Sequence, residues 1–344
     1  MMRNACTKAV RDHAQGFDLA QRALAGLACA IALLGGSAAS LAQTQGPWPA
    51  RPIRVIVPFP AGGPSDVGMR LVAQKMTDTW GQQVIVDNRP GANTIIGAEA
   101  VARAPADGYT LLFAIDSTLT MNQHLYAKIP YDPIRDFAPV SLALWSPLIM
   151  VVDAATGPAS VKDLIARARA NPGKLSYGAG TLTTQLAGEQ FKRLAALDIV
   201  TVPYKGSPPT VQGLLSADVT FIIDGVTSSV PHIKTGKLRA LATMGSKAPS
   251  AMPMLPTFAA ESGLRDFNIG VWLGLVAPAG TPGDIINRLN QEVSRILALG
   301  DVRERLNAVG LEPMQATPAE FGAYIASESA RWGELIRQTG IRLE

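Results

Sequence analysis

Short β-branched apolar runs alternate with segments of helical period along most of this chain, and that alternation restricts the fold more than any other feature. Residues 53–57, 84–87 and 109–114 have the length and composition of strands, and 64–80 and 95–104 between them space their apolar residues as helices do. A β-α-β-α-β order buries its apolar faces as a parallel sheet with helices packed on it. The pattern continues through strands at 148–152, 175–177, 199–203, 219–223 and 238–243. Helices at 160–170, 184–196, 209–216 and 226–235 separate them, and 270–278 reads as a last strand before a helical end. The fold class is α/β.

Residues 1–42 read as a removable export signal outside that fold. Arg3, Lys8, Arg11 and Arg22 make a basic start, residues 23–34 an uncharged apolar run, and Ser40-Leu41-Ala42 a small-residue cleavage site. The run is shorter than the ~20 apolar residues that span a bilayer. Both cysteines, Cys6 and Cys29, fall in this segment, so the mature chain offers no disulfide or thiolate metal site. Gly26-Leu27-Ala28 ahead of Cys29 departs from a lipoprotein signal, and lipidation is not expected. Losing the leader lowers the net charge from +4 to +2. Lysines and arginines are scattered along the chain, which argues against a nucleic-acid partner.

The turn after the first strand carries the clearest chemistry. Pro60-Ala-Gly-Gly-Pro-Ser-Asp66 leads from a strand into a helix, where backbone N–H groups lack helical partners and the helix dipole favours negative charge. An anion site is the expectation. Pro64 at the first helical position costs little, because its missing N–H would be unpaired anyway. Thr281-Pro-Gly-Asp284 and Thr317-Pro-Ala-Glu320 both read as capping boxes, and Ile285, Leu289, Val293 and Ile296 then line one helix face. Proline and glycine punctuate residues 130–139 and 249–270. Read as crossings between two lobes, they place 43–147 and 270–344 in one lobe and 148–269 in the other. A cleft between lobes is a usual small-molecule site.

Enzyme readings fail on inventory. His124 and His232 are the only histidines after the leader, without metal-ligand spacing, and no Gly-x-Ser-x-Gly elbow or Walker loop is present. Gly178-Ala-Gly-Thr-Leu-Thr183 lacks the third glycine of a dinucleotide fingerprint.

Several longer stretches resemble one family. They are Trp48-Pro-Ala-Arg-Pro-Ile-Arg-Val-Ile-Val-Pro-Phe59 with the turn after it, Val86-Asp-Asn-Arg-Pro-Gly-Ala92, Asp107-Gly-Tyr-Thr-Leu-Leu112, Tyr131-Asp-Pro-Ile-Arg-Asp-Phe-Ala-Pro-Val140, Leu186-Ala-Gly-Glu189, Val202-Pro-Tyr-Lys-Gly-Ser207, His232-Ile-Lys-Thr-Gly-Lys-Leu-Arg-Ala-Leu241 and Leu275-Val-Ala-Pro-Ala-Gly-Thr-Pro282. In this order they resemble the periplasmic solute-binding receptors of tripartite tricarboxylate transporters, also called Bug-type receptors, over the whole mature chain.

That resemblance implies a two-lobed, flytrap-like periplasmic-binding-protein fold of type II with a hinge of two crossing segments. It implies a monomeric periplasmic receptor without catalytic residues, cofactor or metal, serving a large-plus-small permease pair driven by an ion gradient. One solute carboxylate is expected between the first turn and the loop 204–207, with water bridging the rest. The expected contacts are Phe59, Ala61, Gly62, Gly63, Ser65, Asp66, Asn93, Ser117, Thr183, Gly206, Ser207 and Asp224. The amides of Gly62, Gly63, Gly206 and Ser207 are the expected carboxylate donors. The scarcity of cations in these loops argues for a mono- or dicarboxylate over a tricarboxylate. Rival readings are a sensor subunit signalling carboxylate availability to a membrane kinase, and an exported α/β enzyme.

Departures from the family pattern fall near this site. Asn93-Thr94 replaces two glycines, Asp116 follows the third strand where small neutral residues are common, and residues 176–184 are short. Asp66 reads equally as a capping partner or a ligand contact. Asp116 reads as an N-cap or as an acid at the pocket mouth. Lys205 reads as a ligand cation or a solvated side chain, and Tyr204 as wall or as a hydroxyl within reach of the carboxylate.

Overall fold

Strand β1 (Ile53–Val57) buries every residue except Arg54 and lies parallel to β2 (Val84–Asn88) on one side and β3 (Thr110–Ile115) on the other. In the computed structural model, which describes residues 48–264, 268–339 and 341–343, these strands open a ten-stranded sheet. The expected leader lies outside the described residues. Helix α1 (Pro64–Trp80) follows β1, starts with Pro64 after the N-cap Gly63, and stops where Gly81 turns left-handed and donates to the Thr77 carbonyl. Short α2 (Ile95–Ala102) follows β2, and α3 (Asp116–Thr120) and α4 (Asn122–Leu125) follow β3.

A single long strand joins the two halves of the sheet. Residues 137–147 of β4 (Phe137–Asp153) pair antiparallel with β9 (Gly270–Pro278), which pairs antiparallel with β3. Residues 148–153 pair instead with β7 (Phe221–Gly225) and β8 (Leu238–Thr243). Beyond β7 run β5 (Ser176–Ala179) and β6 (Val200–Pro203), parallel to it. These halves form the two lobes of the fold. The second lobe carries α5 (Val161–Ala170), α6 (Leu182–Ala195), α7 (Ser207–Leu215), α8 (Val226–Lys234) and α9 (Phe258–Ser262). Helices α10 (Gly283–Ala298), α11 (Gly300–Ala308) and α12 (Pro318–Thr339), with the short strand β10 (Glu312–Pro313), return to β4 and the first lobe.

The expected parallel sheet therefore holds only at the outer ends; β4, β8 and β9 run antiparallel. Residues 137–147 were not expected as strand because Pro139 and Pro147 break the β signal. They are accommodated where pairing is irregular or changes partner: the register shifts after Pro139, and Pro147 precedes the switch from β9 to β7 and β8.

Each lobe has its own core. Trp272 of β9 and Phe321 of α12 meet edge to face at 5.6 Å, with Ile56, Leu112 and Ile325 around them. Gly274 makes room for the Phe321 ring, which would lie 2.2 Å from an added Cβ. Ile149, Val211, Ile222 and Leu238 centre the second core. Burying such a side chain contributes about 1.5–3 kcal/mol. Leu289, Val293 and Ile296 of α10 are buried as expected, but Ile286 replaces Ile285 on that face. Thr317 and Glu320 form the expected capping box, whereas Thr281 turns its hydroxyl to the Pro278 carbonyl and caps nothing.

Candidate functional site

Where the strands end, their following helices begin, and the chain brings these beginnings together around one cavity. The N-cap residues Gly63 of α1, Thr181 of α6, Gly206 of α7 and Gly225 of α8 all line it, as does Ile115 ahead of the short α3. The cavity encloses about 30 Å³, room for one or two waters. Each helix N-terminus favours an anion by about 0.3–1 kcal/mol, more when partly buried. Asp224 is the one ionisable side chain among the lining residues, and none is cationic. Such positive potential as the wall has therefore comes from backbone dipoles alone.

A hydrogen-bonded relay fixes the first turn. The Gly62 N–H donates to Asp66 Oδ2 at 3.0 Å, and Arg70 Nε donates to Asp66 Oδ1 at 2.9 Å. The second guanidinium nitrogen reaches Asn88 Oδ1 at 2.9 Å, and Asn88 Nδ2 holds the Phe59 carbonyl at 2.9 Å. Burial pushes the Asp66 carboxyl up, but Arg70, the Gly62 N–H and Asn88 outweigh it and hold the group below its ordinary value. Asp66 is therefore the clasp of the turn, outside the cavity lining. Gly62 sits at φ +84, which only glycine adopts at little cost, whereas Gly63 sits at φ −81.

The opposing turn mirrors it. Gly206, at φ +98, is the N-cap of α7, and its N–H donates to the Gly180 carbonyl at 2.9 Å. A Cβ there would come within 3.1 Å of Pro60 Cδ, and one on Gly63 within 3.7 Å of Pro208 Cδ. The two turns approach each other directly. Two of the four expected amide donors are revised, because Gly62 and Gly206 already spend their N–H groups on Asp66 and Gly180. Gly63 and Ser207 remain, at helix starts where an N–H has no helical acceptor. With Pro208 and Pro209 behind it, Ser207 carries the only amide of that first turn after the cap.

Two buried acids flank the cavity. Asp224, at the end of β7 and 1% exposed, accepts a hydrogen bond from the Ser207 hydroxyl on Oδ1, while Oδ2 has no partner. Burial pushes this carboxyl up to about 7 against the Ser207 bond and a weaker one from the Gly225 N–H. Asp116 accepts from the Ser117 N–H at 2.7 Å and from the Thr183 hydroxyl at 2.9 Å. Burial pushes it up to about 7 as well, with Thr183 and Ser117 opposing, Glu328 adding to the push and Arg331 countering it. Asp116 stands in the first lobe and Thr183 in the second, so their bond spans the lobes. Asp116 is 1% exposed, is engaged by Ser117 and Thr183, and is not among the lining residues; the N-cap of α3 is Ile115.

Of the twelve expected contacts, Phe59, Gly63, Ser65, Gly206, Ser207 and Asp224 line the cavity. Ala61 and Gly62 occupy the exposed crest of the first turn, and Asp66 lies behind it. Ser117 and Thr183 serve Asp116. Asn93 is exposed and donates to the Tyr126 hydroxyl, away from the cavity lining. Ala92, Asn93 and Thr94 all hold positive φ, at 44, 49 and 78°, so the chain keeps a glycine-like backbone path without glycine. Tyr204 packs its ring over Gly213 and Gly178, and Lys205 is exposed outside the lining.

The lining residues Ser146, Thr181, Thr184 and Gly225 were not anticipated. Thr181-x-x-Thr184 is a readable signal, and the two threonines do form a reciprocal cap on α6. Ser146 sits in an apolar run without any motif. Among the described residues, no group of three His, Cys, Asp or Glu side chains could hold a metal ion, and no helix is long and apolar enough to cross a membrane.

Comparison with known proteins gives a consistent result. Residues 69–341 match the family described as the tripartite tricarboxylate transporter family receptor. Protein BugT of Bordetella pertussis is 38% identical over 326 residues, covering 94% of this chain and 99% of that one. The structure of R. palustris Rpa4515 with adipate superposes with a TM-score of 0.83 at 34% identity, covering 86% of this chain and 99% of the other. MatC from Rhodopseudomonas palustris with bound malate gives 0.78 at 31%, covering 84% and 100%.

Proposed function

Because the chain belongs to the family of tripartite tricarboxylate transporter receptors, we propose that it is a periplasmic receptor that captures a small carboxylate between its lobes and delivers it to a secondary transporter. The observation that carries this reading is the convergence of four helix N-termini, those of α1, α6, α7 and α8, on a cavity without a cation. Taking a carboxylate out of water costs several kcal/mol. Hydrogen bonds to a charged group return about 1.5–3 kcal/mol each, and the helix dipoles add to them. Gly63 from one lobe and Ser207 from the other supply the amides, so the solute joins the lobes and favours their closed arrangement. Relatives solved with adipate and malate support a carboxylate ligand.

The narrow space at the site means that a solute enters only when the lobes part. The hinge lies where β4 changes partners at Pro147 and Leu148 and where the chain returns before Gly270. On this reading 43–147 and 270–344 form one lobe and 148–269 the other. The partner is a membrane permease pair, the location the periplasm after loss of the leader, and the working form a monomer. The family consists of receptors.

A thermal-shift screen of carboxylates and neutral sugars on the mature chain tests this. A true ligand at 100 times its Kd adds about 2.7 kcal/mol to stability. A sugar that raises Tm while no carboxylate does so would overturn the proposal.

A further inference from the structure

The cavity holds two polar groups that the anchoring of a carboxylate leaves idle. Asp224 Oδ2 and Ser146 Oγ are both buried without a hydrogen-bond partner, each on a side chain 1% exposed, and both residues line the cavity. A buried carboxylate oxygen without a partner is costly, and such groups are almost always satisfied in folded proteins. The two groups line one cavity from adjoining strands, Asp224 at the end of β7 and Ser146 on β4. Gly225 follows Asp224 on β7 and pairs with Leu148, and a Cβ on Gly225 would lie 3.0 Å from Ser146 Oγ.

Ser207 ties this pair to the anchor. Its backbone N–H is one of the two proposed carboxylate donors, and its hydroxyl donates to Asp224 Oδ1. A solute carboxylate resting on the Ser207 amide is therefore one side chain away from Asp224 Oδ2. On that placement, the substituents nearest the idle oxygen are those on the first carbon beyond the carboxylate. Above pH 7, where Asp224 is ionised, its carboxylate only accepts hydrogen bonds, so the substituent must donate; a second carboxylate there would meet like charge.

We propose, on the basis of the carboxylate-receptor reading above, that Asp224 and Ser146 form a specificity subsite for a hydrogen-bond donor, a hydroxyl or an ammonium, on the carbon next to the anchored carboxylate. Gly225 is part of the device, since a side chain there would press on Ser146 Oγ and on Pro64 Cγ, each 3.0 Å from the Cβ position. The preferred solutes are then 2-hydroxy or 2-amino acids, and the unsubstituted acid of the same skeleton is the poorer ligand, because it leaves both groups unpaired.

Calorimetry on the mature chain with two matched series tests this: propanoate, lactate and alanine, and succinate, malate and aspartate. The substituted member of a series should bind at least 10-fold more tightly than the unsubstituted one. Preference for the hydroxyl or for the ammonium form identifies which donor is read. In Asp224→Asn the ratio should fall to within about 3-fold of unity, and in Ser146→Ala it should fall part of the way. Equal affinity for substituted and unsubstituted acids in the unaltered protein overturns the subsite while leaving the anion site intact. So does a ratio that survives both substitutions. Binding of none of these acids, nor of any other carboxylate, overturns the receptor reading and the subsite with it.

Discussion

Replacing Asp116 by asparagine should stabilise the protein at alkaline pH and remove part of its pH dependence. The carboxyl is carried from an ordinary 3.8 to about 7 in the folded chain, chiefly by burial. Between those values the folded state keeps a proton that the unfolded state has released, so stability falls as pH rises through the window. Above pH 7 the whole penalty is present, about 4 kcal/mol at 1.36 kcal/mol per pH unit. Asparagine cannot ionise, yet its oxygen can still accept the Ser117 N–H and its amide can donate to the Thr183 hydroxyl, the two partners Asp116 uses. Urea unfolding from pH 4 to 8, followed by tryptophan fluorescence, gives the difference directly. Asp116→Asn should match the unaltered chain near pH 4 and exceed it by about 2–4 kcal/mol at pH 8. Asp224 titrates over the same window in both proteins and cancels in the comparison. A difference that stays constant with pH, or a less stable variant at pH 8, would refute the reasoning.

Three further outcomes follow from the geometry. Gly63→Val should fold normally, since φ −81 suits valine, and should lose carboxylate binding by more than about 100-fold, because its methyls enter the cavity beside Pro208; unchanged affinity by calorimetry would remove the first turn as the anchor. Asp66→Ala should cost about 1.5–3 kcal/mol at pH 7 through loss of the Gly62 and Arg70 bonds. Because the Asp66 pKa is lowered on folding, its contribution is complete above about pH 4 and fades as pH falls through the folded value, so the deficit should shrink in acid; a deficit independent of pH would point to lost packing instead. Ala92→Gly should raise stability by about 0.5–1 kcal/mol, as the exposed residue sits at φ 44, and an unchanged or lowered Tm would show that the turn is unstrained.

Much of the fold was legible because its signals are local. Strands β1, β8 and β9 begin and end where alternation and β-branching place them, and the helices between strands lie within about two residues of their periodic segments. The first turn was legible too, since two glycines and a proline between a strand and a helix have few other uses. Residues 137–147 were not. Their prolines speak locally against a strand, and only pairing with β9 explains why the strand forms.

The site shows the same division. The sequence on its own determined that this chain offers backbone amides at strand-to-helix turns and has few cations near them, because those properties belong to single segments. Which amides face a ligand was decided by the tertiary structure: Gly180 and Asp66, reached through the fold, take the Gly206 and Gly62 N–H groups. Asp116 and Asp224 look like ordinary turn acids in the sequence. Their burial, and the shifts that burial forces, arise only when the chain packs around them, since removal of solvent is a property of the packed chain and not of any residue in it.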